Sequence, residues 1–400
     1  MVVTIQQVVH PLLIVCFIMG LRAYPMKQPN PKIRWIAYLS LLYQLIIWFS
    51  YAYLLYYTIT VFTWKILAGN ITNSVIWAAT AINTIISVIM SFYHQKRLDI
   101  SLKKLSAVDN CLEELGVTMM YQRTHIYSKL VIIGWIIYSF LINLSNAMWW
   151  INFHETWALF IAFMLNYCIN INAFMELLFI FLLWLTGNRF DKINEHMQCL
   201  LVEDHGLKCA WKKSMVVLHQ YTLYTNYKRT LWISMHLHLE LCRIARELNF
   251  IFGTQITFGM TVYLVFMASL CYAICMALMQ ELPKEILQLP YKHIWFNLSS
   301  WIFVILIRVY AVNYMCENIT IKANEINQII TRLTNTLQYT DTWKEVYQFT
   351  LQIMHHPLKL TGMNLFYFGN EYLRKFCITI LTFVIIMVQM KVYIIPINGW

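Results

Sequence analysis

Two polar residues interrupt the last apolar stretch of this chain: Thr382 and Gln389, in the run Thr382-Phe383-Val384-Ile385-Ile386-Met387-Val388-Gln389-Met390. An amide in span-length apolar sequence is expensive unless it meets water or a partner group. The seven-residue separation is about two helical turns, so both groups share one helix face. That face suits a pore wall or a helix–helix seam, and lipid contact alone gives no reason for it. Glu176 and Arg308 are two charges in similar apolar surroundings. Each costs about 2.5–3.5 kcal/mol at the centre of a membrane helix. Either both snorkel toward the cytoplasmic ends of their spans, or they pair and link the fourth span to the sixth. Signatures of covalent chemistry are not found: there is no nucleophile elbow, phosphate loop or metal-ligand cluster. The ten cysteines are scattered without a CxxC pair, and His355 and His356, being adjacent, point apart on a helix. Neither enzyme activity nor a cofactor or metal is expected.

The elements that position these residues are membrane spans. The chain is 60 % hydrophobic and only 12 % charged, where a soluble domain carries roughly 25 % charged residues. Stretches long and apolar enough to cross a bilayer occupy residues 35–64, 66–93, 130–151, 156–188, 248–280, 292–316 and 376–395, each near or above the roughly 20 residues required. Residues 1–21 lack a basic leader and a cleavage site, and Gln6, Gln7, His10 and Pro11 interrupt them. They read as an amphipathic helix lying in the interface rather than a signal peptide or an eighth span. The 30 Lys and Arg against 19 acidic residues lie between the spans, so membrane topology explains them and a nucleic-acid partner is not implied.

Loop charge fixes the orientation. Arg22, Lys27, Lys32 and Arg34 precede the first span, and Lys96, Arg97, Lys103, Lys104, Arg123 and Lys129 follow the second. Further basic clusters follow the fourth and the sixth, whereas the opposite side holds only Lys65, Lys284, Lys292 and Lys391. The N-terminus is therefore expected in the cytoplasm and the C-terminus outside. That is opposite to a G-protein-coupled receptor. Asn70, in the sequon Asn70-Ile71-Thr72, falls in an outside loop where glycosylation is possible. A secondary transporter would show repeated halves with broken spans, and no internal repeat is found.

The expected fold is all-α and polytopic, with seven transmembrane helices. Residues 1–34 form a cytoplasmic or interfacial helix, and 35–315 a six-helix bundle with helical extensions over 187–250. Residues 316–375 form cytoplasmic helices, and 376–395 the seventh span. Leu231, Met235, Leu239, Cys242 and Leu248 recur at helical spacing, as do Ile326, Ile329, Ile330, Leu333 and Leu337. Apolar stripes outside the membrane need a partner. Packing of the two loops within the chain would supply one, and subunit assembly is the reading favoured here.

The run from Thr382 to Met390 resembles the last-span signature of the insect gustatory receptors, Thr-Tyr, five hydrophobic residues, then Gln-Phe, with Phe at 383 and Met at 390. Residues 355–366, His236 to Arg243 with Asn249 and Gly253, 188–194, and Pro11-Leu12-Leu13 with Tyr24-Pro25 are similar to further segments of that family, in the same order along the chain. The resemblance implies a ligand-gated, non-selective cation channel assembled as a tetramer, alone or with related receptors, in the plasma membrane of gustatory sensory neurons. It assigns pore or gate roles to Thr382, Ile386, Gln389 and Met390. It also implies a pocket for a small-molecule tastant, open to the outside among spans two to six. The outer halves of those spans offer Asn146, Trp149, Asn166, Tyr167, Asn170 and Trp301, amides and flat aromatic walls of the kind small ligands use. Amides also hold helices together, and Trp at span ends forms interfacial belts. Val384 departs from the sugar-receptor form of the signature, which favours a bitter or plant-derived ligand. The runners-up are an odorant-receptor-like subunit and a transporter requiring a partner.

Overall fold

The computed structural model describes residues 5–22, 33–63, 71–117, 121–151, 156–203, 220–278, 291–336 and 343–394. Helices dominate: α1 (Ile5–Ile18), α2 (Ile33–Thr58, running into a π-helical turn Ile59–Thr63), α3 (Ile71–Tyr93), α4 (Gln95–Glu114), α5 (Tyr121–Trp150), α6 (Ala158–Glu203), α7 (Gln220–Leu278), α8 (Tyr291–Thr336), α9 (Trp343–His355) and α10 (Asn370–Ile394). A two-stranded antiparallel hairpin, β1 (Thr361–Gly362) and β2 (Phe366–Tyr367), precedes α10, with Thr361 opposite Tyr367 and Gly362 opposite Phe366. Helix is the form that apolar sequence must take in lipid, because each backbone group then finds its partner within the segment. Six helices are long and apolar enough to cross a membrane among the described residues. The seventh stretch is α10, 25 residues long.

α6 is the hub, in contact with α2, α3, α5, α7 and α8. Its apolar residues Ile171, Phe174, Phe179 and Leu183 are all fully buried in the central core. α7 has 59 residues and is about 88 Å long at 1.5 Å per residue, nearly three times the roughly 30 Å hydrocarbon thickness. Beyond the bundle, α6, α7 and α8 therefore continue as one helical sheaf. There Leu231 and Met235 of α7, Ile326, Ile329 and Ile330 of α8, and Val346, Phe349 and Ile353 of α9 are buried in the same core. The α8 stripe expected to serve assembly is thus filled from within the chain, by α7 and α9. Leu239 of the α7 stripe is exposed, and the side chains of Leu333 and Leu337 lie outside the described residues.

α1 is packed into the protein. Ile5, Val8, Val9, Leu12, Leu13 and Cys16 form a stripe at helical spacing, buried against α4 and α5. Its 14 residues fall short of the roughly 20 a span needs. The helix ends at Gly20, whose φ of +72° suits a residue without Cβ. The Leu21 amide bonds the Cys16 carbonyl and the Gly20 amide that of Phe17, the paired bonds of a Schellman stop. This turn delivers Arg22 into the bundle, where it is 2 % exposed.

Candidate functional site

α10 hangs from the bundle by its first turn. The Gly369 amide donates to Asn313 Oδ1 of α8 at 2.9 Å, and the Asn370 amide to Glu317 Oε2 at 3.3 Å. A carboxylate at the start of a helix answers its unpaired amides and its positive end. Gly369 has φ +131°, and a Cβ there would run into the Glu317 carboxylate, so only glycine fits this joint. The hairpin seats on α7: Asn249 Nδ2 donates to the Thr361 carbonyl at 3.0 Å, and Arg246 Nη2 to the His356 carbonyl at 2.8 Å. A Cβ on Gly362 would lie 2.7 Å from Thr257 Oγ1, so the backbone approach needs glycine here too. Phe366 stacks on Tyr372 at 4.6 Å, and Tyr372 leans on Phe376 at 6.1 Å. The sequence segments around Asn249 and around Thr361, both part of the resemblance described above, thus meet at one contact.

Beyond Phe376, α10 is largely uncovered. Thr382, Phe383, Ile385, Ile386 and Gln389 are all exposed. The Thr382 hydroxyl donates to the Ile378 carbonyl of its own helix at 2.9 Å. The side chain of Met390 lies outside the described residues, as does Asn70. Thr382, Ile386 and Gln389, spaced by four and three residues, share the face that the sequence assigned to a pore or seam.

The ligand-pocket candidates fall into separate groups. Asn146 Nδ2 of α5 donates to Asn166 Oδ1 of α6 at 2.8 Å, Asn166 Nδ2 donates to Asn143 Oδ1 at 3.0 Å, and Trp301 Nε1 of α8 donates to Asn146 Oδ1 at 3.2 Å. Asn146, Asn166 and Trp301 are therefore together, as one hydrogen-bonded relay joining three spans. Tyr167 is on another side of α6, its ring 4.7 Å from that of Tyr51 and packed near Trp48 of α2. Asn170 gives its backbone carbonyl to Trp135 Nε1 at 3.2 Å, and its buried Oδ1 has no partner among the described residues. Trp149 packs against a small outer core of Ala147, Trp150, Ala158 and Ile161.

Below the relay, Glu176 and Arg308 do pair. Arg308 Nε donates to Glu176 Oε2 at 2.9 Å, the Tyr263 hydroxyl donates to Glu176 Oε1, and the guanidinium carbon lies 4.9 Å from the Tyr263 ring centre. All three side chains are buried, so the pairing reading replaces snorkelling. Two more polar bridges escaped the sequence reading. Asn172 of α6 donates to Thr84 Oγ1 at 3.0 Å and accepts from Ser87 Oγ at 2.9 Å. Thr80, Thr84, Ser87 and Ser91 recur every three or four residues on α3, a polar stripe that marks a buried helix seam. Arg189 clasps Asp109 of α4 with two bonds of 2.9 Å, and nothing local in the sequence announces that pair. In the sheaf, His238 Nε2 lies 2.9 Å from the Ala323 carbonyl. Burial lowers the His238 pKa to about 4; the bond to Ala323 opposes this and Arg246 adds to it.

A family model described as 7tm Chemosensory receptor matches residues 9–394. Gustatory receptor 28b of Drosophila melanogaster is 21 % identical over 313 residues, covering 75 % of this chain and 65 % of that protein. This chain therefore spans just under two thirds of that relative. The insect olfactory receptor OR5 from Machilis hrabei has a similar structure, with a TM-score of 0.65 at 12 % identity over 95 % of this chain and 97 % of that one. The same receptor in complex with eugenol gives a TM-score of 0.64 at 12 % identity, over 96 % and 98 %. At such identity the likeness carries the fold.

Proposed function

The chain belongs to the 7tm chemosensory receptor family, as an all-α, multi-pass membrane chemoreceptor of the insect superfamily, and from that membership we propose that it is a ligand-gated, non-selective cation channel. One observation supports this above the others: α10 is an apolar helix anchored at its N-terminal end and largely uncovered beyond Phe376, with Thr382, Ile386 and Gln389 on one face. A helix of this kind finishes its burial against lipid and against copies of itself, with the polar stripe turned to a shared aqueous path. Four copies around an axis, alone or mixed with related receptors, give such a path, with Gln389 and Met390 at its outer end under the loop-charge orientation.

In this reading the relay of Asn143, Asn146, Asn166 and Trp301 is where a small tastant acts. A ligand that competes for these bonds would loosen α8 against α5 and α6 in their outer halves. α8 carries Asn313 and Glu317, which hold the first turn of α10, so a shift of α8 reaches the pore helix through one joint. The eugenol complex of the Machilis hrabei receptor supports a small organic ligand, and Val384 favours a bitter or plant-derived one. Expression in gustatory sensory neurons completes the proposal.

Whole-cell recording from non-insect cells expressing this chain alone, against a panel of sugars, bitter alkaloids and plant phenols, tests it. Ligand-evoked cation current is expected. Silence with verified surface expression, persisting on co-expression with related receptors, would remove the channel reading; current only on co-expression would make the chain an obligate subunit.

A further inference from the structure

A small cavity lies where α1, α3, α6 and α7 meet, away from both the amide relay and α10. Its volume is about 20 Å³, and Arg22, Ser91, His94 and Gln255 supply its polar lining among Cys16, Met175, Leu178 and Phe252. Arg22, His94 and Gln255 are 2 %, 4 % and 3 % exposed. Four of their side-chain atoms are buried without a hydrogen-bond partner among the described residues: Arg22 Nε and Nη1, His94 Nδ1 and Gln255 Nε2.

Leaving one buried polar group unpaired costs about 1–3 kcal/mol, and more if it is charged, so four around one void call for an occupant. The Arg22 and Gln255 atoms can only donate, and a neutral imidazole with its proton on Nδ1 donates as well. Arg22, which lines the cavity, is paired with Asp99, a half-exposed side chain, through Nη2, and its Nε and Nη1 remain buried without a partner among the described residues. A water molecule among donors must still place its own two hydrogens, whereas an anion accepts from every side. A single water-sized body needs about 10–15 Å³, so this cavity has room for a small ion, and the donor-only atoms on its lining residues favour an anion.

We propose that the Arg22–His94–Gln255 cavity is a binding site for a monatomic anion, chloride in physiological media. The bound ion would join the end of α1 to the α3–α4 junction at His94 and to α7. It would fasten the N-terminal helix to the bundle alongside the Arg22–Asp99 pair, through donors that this pair leaves unused. This inference is independent of channel activity.

The test is thermal unfolding of the full-length protein in lipid nanodiscs, titrated with sodium chloride at constant ionic strength against sodium gluconate, whose anion is too large for the cavity. A saturable rise in Tm of roughly 2–4 °C is expected in chloride, reproduced by bromide, with anomalous bromide signal or added density at the cavity. Gln255→Leu keeps the shape and removes one donor. It should raise the half-saturating chloride concentration about tenfold or more, with Tm in gluconate no lower than that of the wild type. Identical wild-type curves in chloride and gluconate would assign the cavity to water and overturn the proposal. An undiminished chloride effect in Gln255→Leu would overturn it too, by locating the stabilisation elsewhere.

Discussion

α6 and α10 are both apolar helices that carry a few polar residues, and the protein treats them in opposite ways. In α6 most of the membrane-crossing stretch is buried, and Asn166, Asn172 and Glu176 each bond a side chain on another helix. In α10 the described residues past Phe376 are mostly exposed, and the hydroxyl of Thr382 turns back on its own backbone. Apolar composition therefore assigns both helices to the membrane without saying what either is for. The placement of polar groups separates them. In α6 the side chains of Asn166, Asn172 and Glu176 are engaged in bonds inside one chain, which makes that helix a fixed axis. In α10 they remain available, which leaves that helix free for contacts the chain cannot make alone.

The comparison can be broken first at Glu176. Removing one member of a buried ion pair costs about 3–5 kcal/mol, so Glu176→Gln and Arg308→Gln should each lower Tm and surface expression sharply. The double variant should recover part of the loss; a double variant no better than the singles would mean that the pair does not act as a unit. Asn166→Leu leaves Asn143 and Asn146 short of partners, at about 1–3 kcal/mol each if they stay buried. A lower Tm is expected, together with a displaced dose–response curve, whereas a lower Tm with an unmoved curve would make the relay a helix clamp only.

Acidification probes the sheaf that supports both helices. The folded pKa of His238, about 4, lies below its ordinary 6.5. The unfolded chain therefore takes up the proton first as pH falls. The contribution of this group to stability is complete above pH 6.5 and declines toward pH 4, by up to about 1.4 kcal/mol per pH unit. His238→Gln should flatten that part of a Tm-versus-pH profile. The smallest effect on stability is expected at Gln389→Ala, with Tm within about 2 °C of wild type and ligand affinity unchanged, but with altered gating or permeation in single-channel records. Ordinary currents from this variant would return the residue to helix packing.

Much of the fold was legible in the sequence because lipid imposes a strict rule, that long apolar runs become helices. Loop lysines and arginines added a direction. The Glu176–Arg308 pair was readable as one of two choices, since two lone charges at similar depth have few ways to be satisfied. The ligand candidates were legible only in part. Asn166 and Tyr167 are neighbours in sequence yet face α5 and α2 respectively, and composition cannot say which side of a hub helix meets which partner. The α8 stripe was legible in the same partial way: periodicity reveals that Ile326, Ile329 and Ile330 share a face, and α9 returning to cover it is a matter of tertiary path. Arg22 and Asp109 were hidden because their partners are distant along the chain, and a basic residue after a helix looks like any topology signal until its burial is seen.

The bond between Glu176 and Arg308 also has a place in time. The two residues are 132 positions apart, and at about 5–20 residues per second of synthesis the arginine emerges roughly 7–26 s after the glutamate. During that interval the Glu176 carboxyl has no arginine to bond, and the fourth span has to stay where water or another polar group still reaches it. A chain truncated before residue 308 should be extracted and degraded, and one that carries the whole sixth span retained. The central helix of the receptor is in this sense inserted on credit until the sixth span arrives.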